Sequence, residues 1–309
     1  MTTGVTKIKM SEPATSSPSP VVFLSGPWKM FFLFFILAGA VIFYGPLKEL
    51  LIFSFHNDNF SHIPLIPLIS GYFFWRKRKE KKIFTAGGHS YFLGALAVLL
   101  SAAPYLIGKS QAGVLNENDQ LFFMALSAVF FCFGGFLLLF GIDAFMAASF
   151  PLLFLFFMVP IPSFILNKAI FFLQTGSTYG ADQIFKLTGI PFLHKGFAFS
   201  FPGLGIYVAH ECSGIRSSIS LLIMAVIMGH VFLARWPGRF LALLVAIPIA
   251  AVKNSIRIAT LSLLSLYVDR SFMYGKLHRD GGILFFLIGL ALLGLIIRLL
   301  KRFETPSRR

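Results

Sequence analysis

Charge is scarce in this chain. Asp, Glu, Lys and Arg make up 13% of its 309 residues, against about 25% in an ordinary soluble domain. With 57% hydrophobic residues and a mean hydropathy of +0.81, the composition excludes a soluble globular domain and points to a polytopic membrane protein. Acid is scarcer than base, 12 residues against 27, and the net charge is +15. Such an excess resembles a nucleic-acid signal, but the basic residues cluster beside apolar runs. The positive-inside rule accounts for most of them, so the lipid bilayer, and no nucleic acid, is the expected partner. Cysteine is nearly absent: two residues in different settings exclude a disulfide framework. Cys132 lies in Phe130-Phe131-Cys132-Phe133 and reads as a small buried hydrophobe. Cys212 reads as a free thiol whose setting needs a reason. HExxH and paired-cysteine spacings are missing, and no cofactor or metal is implied. His56 and His62 leave room for a mixed histidine site, but without carboxylates at useful spacing.

What is present is a series of apolar runs, at roughly 29–47, 61–75, 89–107, 120–140, 144–160, 214–234, 239–267 and 281–300. Most reach the ~20 residues that span hydrocarbon; 61–75 and 144–160 are short. The expected fold is all-α and polytopic, with about eight transmembrane helices. The expected organisation is a disordered cytoplasmic N-terminus over 1–27, one multipass domain over 28–302 and a basic cytoplasmic tail over 303–309. The Ser, Thr and Pro content near the start favours disorder, and the first apolar run reads as an anchor rather than a cleaved leader. Basic blocks set the orientation. Arg76-Lys77-Arg78-Lys79, Arg235 with Arg239, and Arg298, Lys301, Arg302, Arg308 and Arg309 would all share the N-terminal side. That predicts N-in and C-in in the cytoplasmic membrane. Between the fifth and sixth runs, Phe164–Leu187 has helical spacing with polar residues interspersed, which suits a helix lying at the membrane surface. The alternating stretch 196–203 predicts a short strand just before the cysteine.

Three polar intrusions stand out, and the predicted topology brings them to the outer face. His210-Glu211-Cys212-Ser213-Gly214-Ile215-Arg216-Ser217 opens the sixth run, so Cys212 is expected near a helix N-terminus, where unpaired N–H groups favour an anion. A small helix-end residue or a lipidation site would also suit that position. Asn254-Ser255-Ile256-Arg257 interrupts the seventh run, with Asn254 and Arg257 on one helical face. An intramembrane arginine costs roughly 2.5–3.5 kcal/mol on insertion scales, so it needs a reason. It could hold a thiolate, a carboxylate or an oxyanion; it could equally snorkel, or pair with Glu211 or Asp280. His278 precedes the eighth run and could exchange a proton with a thiol, with Asp280 beside it; a solvated loop histidine is the plain alternative. A nucleophile, a stabiliser and a base on one membrane face make a candidate thiol site.

These motifs, in this order, resemble the exosortase/archaeosortase family of membrane transpeptidases. Asn59-Phe60-Ser61-His62-Ile63-Pro64 is similar to its early Ser-His signature, and the run from Pro151 to Pro162 to its central span ending in prolines. Glu211-Cys212-Ser213-Gly214-Ile215-Arg216-Ser217 matches its cysteine motif, Asn254-Ser255-Ile256-Arg257-Ile258 its arginine motif, and His278 stands where a histidine is expected. The resemblance implies that Cys212 is the nucleophile, Arg257 the stabiliser and His278 the base, with Glu211, Arg216, Asn254 and Asp280 in support. It also implies substrates: exported proteins with a C-terminal sorting signal of a short motif, an apolar helix and a basic tail, usually of the PEP-CTERM type, cleaved and passed to an acceptor. From another class, a transporter or channel-like assembly protein would have Arg257 and His278 lining a polar path. A scaffold with a lipidated cysteine would give Arg257 no role.

Overall fold

A computed structural model of the chain describes residues 28–77, 90–273 and 282–304. A backbone in lipid must satisfy its polar groups internally, and helices do so within one segment. The described chain is accordingly helical almost throughout: α1 (Trp28–Ile42), α2 (Tyr44–His56), α3 (Leu65–Lys77), α4 (Tyr91–Ser110), α5 (Glu117–Ala147), α6 (Ser149–Phe154), α7 (Ser163–Thr188), α8 (Ile215–Phe232), α9 (Trp236–Tyr267) and α10 (Gly282–Glu304). Among the described residues, five helical segments are long and apolar enough to cross a membrane, or up to seven if two bent pairs each count as one span. The multipass helical fold is as expected, and the count of eight is not confirmed. α3 has only 13 residues, the first apolar run is bent, and the fifth turns sharply into α7. The first bends by 70° between Ile42 and Tyr44, and the fifth by 87° between Met158 and Ser163, where Pro160 and Pro162 interrupt the helix.

Local chemistry sets the ends. Asn116 caps α5, its Oδ1 accepting from the Asp119 N–H at 2.9 Å. α7 stops at Gly189, whose left-handed φ of 71° closes the last turn. α4 and α5 pack as a tight hairpin. A Cβ on Gly134 would sit 2.7 Å from the backbone nitrogen of Val98, so only glycine permits this approach.

α7 differs from the helix expected at the membrane surface. It packs along α9, and its polar residues Gln174, Ser177, Thr178 and Asp182 are buried rather than turned outward. After it comes an antiparallel meander of β1 (Leu193–Lys195), β2 (Ala198–Phe201) and β3 (Leu204–Tyr207), with Leu193 opposite Ser200 and Ala198 opposite Tyr207. Strand periodicity turns Phe199, Phe201 and Ile206 onto Phe185 and Ala181 of α7 and Ile258 and Ala259 of α9. The expected short strand is therefore one of three, and the meander covers the ends of α7 and α9 next to the cysteine.

α8, α9 and α10 run side by side. At one end, the Glu304 carboxylate accepts from the N–H groups of Ala234 and Arg235, at 2.7 and 3.2 Å, and pins the α8–α9 link to α10. The cysteine turn lies at the other end of α8, before Ile215.

Candidate active site

Cys212 sits in a 3₁₀ turn, His210–Ser213, that joins the meander to α8. Its N–H donates to the Ala209 carbonyl at 3.0 Å, and its half-buried side chain packs against the apolar cluster beneath the meander. The N-cap of α8 is Gly214, so the cysteine lies two residues outside the helix rather than at its cap. Gly214 has a φ of 74°, and a Cβ there would meet Asn254 Oδ1 at 2.7 Å. Both facts demand glycine.

Asn254 is the clamp. It is buried on α9, and its Nδ2 donates to the Cys212 carbonyl at 2.9 Å. The side chain thus ties the cysteine turn to α9 across 42 positions of sequence. One helical turn on, Arg257 is half-buried, and its guanidinium and the Cys212 thiol act on each other electrostatically. Glu211 acts on the same thiol with opposite sign. Arg257, Glu211, His210 and Gly214 line a cavity of about 810 Å³. Its other walls come from Asp58 and Asn59 before α3, Asn167 on α7, Arg216, Ser217 and Ser220 on α8, and Gly282 at the start of α10.

Arg216 lies on the rim, its Nη1 2.9 Å from Asp58 Oδ1. This long-range pair holds the loop after α2 against α8. His62, from the early Ser-His motif, follows that loop. Its ring is held by the backbone carbonyls of Phe157 and Asn59 rather than lining the cavity. His278 and Asp280 lie outside the described residues. The structure therefore brings Cys212 together with Asn254, Arg257 and Glu211, while Arg216 lies on the wall of the adjoining cavity, which is lined by the neighbours of Cys212 rather than by Cys212 itself.

Lys253 escaped the sequence reading. It is only 2% exposed, inside α9 next to Asn254, and its Nζ donates to Ser217 Oγ, itself on the cavity wall. Its presence in an apolar run was the available signal, the same one that singled out Arg257. Asp58 and Asn59 carried no such signal, because only the fold places them opposite the cysteine turn. Among the described residues, no group of three or more His, Cys, Asp and Glu side chains is placed to hold a metal ion.

Across residues 52–295 the chain matches the family profile described as transmembrane exosortase. The chain belongs to the transmembrane exosortase family. No curated protein and no solved structure matches it. The exosortase match covers the cavity walls from Asp58 to Phe286, and with the apolar helices it makes the chain a multipass membrane protein. Membership supports a membrane transpeptidase of a protein-sorting system, acting on exported proteins.

Proposed function

We propose that this exosortase is a cysteine transpeptidase whose nucleophile is Cys212, with Arg257 as electrostatic stabiliser and His278 as base. The observation that carries the reading is the Asn254 clamp. It fixes the cysteine turn on the helix that projects Arg257 toward the thiol and into a polar cavity. A buried amide spent on holding a backbone carbonyl beside a thiol serves positioning. Four positions separate His278 from Gly282, which lines the cavity, and that spacing suits a base acting there.

In this mechanism the Cys212 thiol gives its proton to the His278 imidazole, and the thiolate attacks a backbone carbonyl of the sorting signal. Arg257 holds the oxygen as it gains charge. Collapse breaks the C–N bond, the amine of the apolar tail leaves with the proton from imidazolium, and a thioester remains. An acceptor nucleophile gives its proton to the same imidazole, attacks the thioester and restores the Cys212 thiol. The substrate is an exported protein ending in a short motif, an apolar helix and a basic tail; the acceptor is a surface or matrix component. The site faces outward, with both termini cytoplasmic. This orientation is supported by the basic residues Lys77, Arg239 and Lys301, which lie on the end segments of α3, α9 and α10 away from the cysteine turn.

The test is co-expression of the enzyme with a substrate bearing such a signal, following loss of the tail on a gel. Tail removal should vanish in Cys212→Ala. A transporter with Arg257 on a polar path would tolerate that change, so normal tail removal by Cys212→Ala would end this reading.

A further inference from the structure

A second cavity, of about 340 Å³, lies at the other end of the helices, among Lys77 of α3, Ser149 and Phe150 of α6, Val226 and His230 of α8, and Arg239 of α9. Fifteen residues of α8 separate Ile215 from His230, or about 22 Å at the helical rise. This is therefore not part of the cysteine site. Its polar lining is one-sided: a lysine, an arginine, a histidine and a serine, with no carboxylate. Among the described residues, the ion pairs are Lys186 with Asp182, His194 with Asp182, and Arg216 with Asp58, so none neutralises these cations.

The cations are fixed in place. Lys77 Nζ donates to the Ala147 carbonyl at 2.9 Å, at the C-terminus of α5. Arg239 Nε donates to the Leu233 carbonyl at 3.0 Å, which aims the guanidinium while leaving its two NH₂ groups to the cavity. His230 is stacked flat on Phe150, with ring centroids 3.5 Å apart, and Arg239, Lys77 and Arg76 all act on it electrostatically. Capping carbonyls explains one hydrogen bond for each cation. The positive-inside rule puts basic residues at this end of the helices, but two cations lining one hollow still repel each other unless an anion enters. The remaining walls, Leu153, Phe154, Phe157 and Val226, are apolar. An anionic head among cations with apolar walls beside it fits a phosphate-bearing amphiphile.

We propose that this cavity binds a phosphate monoester or diester, held by Lys77 and Arg239 with Ser149 and His230 completing the polar shell. Two sources carry that chemistry, an anionic phospholipid headgroup and a soluble phosphate ester. The full-length protein is placed in nanodiscs of phosphatidylcholine and its melting temperature followed in two arms. One arm adds increasing phosphatidylglycerol; the other adds glycerol 1-phosphate to the neutral discs. A rise in melting temperature in either arm is expected, and the arm that shows it names the source. The midpoint concentration should increase about fivefold for each cation removed in Lys77→Gln and Arg239→Gln. Those variants also lose a carbonyl cap, so a second variant, Ser149→Glu, keeps both cations and supplies a carboxylate from the wall. It should fold normally and abolish the rise. The double variant Arg298→Gln/Arg302→Gln removes two exposed cations outside the cavity and should keep it. No rise in the unaltered protein, or an equal rise in Ser149→Glu, would overturn the proposal.

Discussion

The α4–α5 hairpin is antiparallel, whereas α7 and α9 run parallel, Gly176 facing Ala251 and Gly180 facing Ser255, and the two contacts differ in what surrounds them. α4 and α5 meet through glycine, with Gly94 and Gly134 letting the backbones touch. Their buried hydroxyls are satisfied: Ser101 Oγ donates to the Val98 carbonyl and Ser127 Oγ to the Ser101 carbonyl, both at 2.6 Å. α7 and α9 also approach through glycine, Gly176 against Ala251 and Gly180 against Ser255, but buried polar side chains flank that contact. Among the described residues, the buried side-chain oxygens that lack a hydrogen bond belong to Gln174, Ser177, Ser213, Asn254 and Ser265, with Asn118 at the start of α5 as the exception. Each such group costs about 1–3 kcal/mol. Close small-residue contacts are how membrane helices gain stability, and α4–α5 is such a contact. Costly polar groups on α7, on α9 and in the cysteine turn itself are what a site looks like when stability has been given up for geometry.

The comparison breaks most sharply at the cysteine. Cys212→Ala should abolish tail removal, measured on gels, while leaving the melting temperature unchanged, because a half-buried thiol contributes little packing. Cys212→Ser should be nearly as inactive, since an alcohol without a strong base is a poor nucleophile. A melting temperature that collapses in both would place the thiol in the core instead.

Next comes Arg257. Loss of one transition-state stabiliser typically costs about 10²–10³ in rate. Arg257→Ala should fall in that range in single-turnover cleavage, and Arg257→Lys should recover only part, because lysine lacks the planar fork. Full recovery by lysine would reduce the role of Arg257 to a point charge.

Both predictions rest on residues that the sequence displayed openly. Cys212 and Arg257 were visible because a thiol-acid-arginine cluster and an intramembrane charge have few bland explanations. The spacing of Asn254 and Arg257 put them on one face before any coordinates. What stayed hidden is long-range or inward-facing. Polar residues of α7 fit a surface helix by spacing alone; that Gln174 reaches the Val208 carbonyl and Asp182 the ring of His194 depends on the meander that follows. The bend at Phe43 splits an apolar run that hydropathy reads as continuous, and the one after Met158 joins the short fifth run to α7, which spacing alone leaves apart. The Asp58–Arg216 pair joins positions no local pattern connects. His278 was legible as a polar intrusion before the last apolar run, and it lies outside the described residues.

On the α4–α5 side, Gly134→Ala should destabilise by about 1–3 kcal/mol, the usual cost of overpacking, since the new methyl meets backbone at Val98. Thermal unfolding in detergent checks this. Cleavage per folded molecule should be unchanged; a matching fall in rate would couple the two halves.

Lys253→Met sharpens the contrast by predicting opposite signs. A buried ammonium held by one hydroxyl carries a desolvation cost that an apolar side chain of similar length does not. Ser217 would lose the ammonium but keep its bond to the Gly214 carbonyl at 3.0 Å. Stability should hold or rise while cleavage falls. Unchanged cleavage would make Lys253 a packing residue, like those of the α4–α5 side.

The smallest effect belongs to Arg216. Its guanidinium is 56% exposed and its partner Asp58 82%, so solvent screens the pair. Exposed pairs of this kind contribute about 0–1 kcal/mol, and salt weakens them further. Arg216→Ala should therefore leave the melting temperature nearly untouched. Its effect on cleavage is set by how firmly the loop carrying Asp58 and Asn59 walls the cavity, and should stay below about fivefold, shrinking as ionic strength rises. Swapping the charges, Arg216→Asp with Asp58→Arg, should restore what the single change removes. That outcome would assign Arg216 to the cavity wall. A loss of about 100-fold or more, unrelieved by the swap and insensitive to salt, would instead place the guanidinium against the substrate, on a par with Arg257.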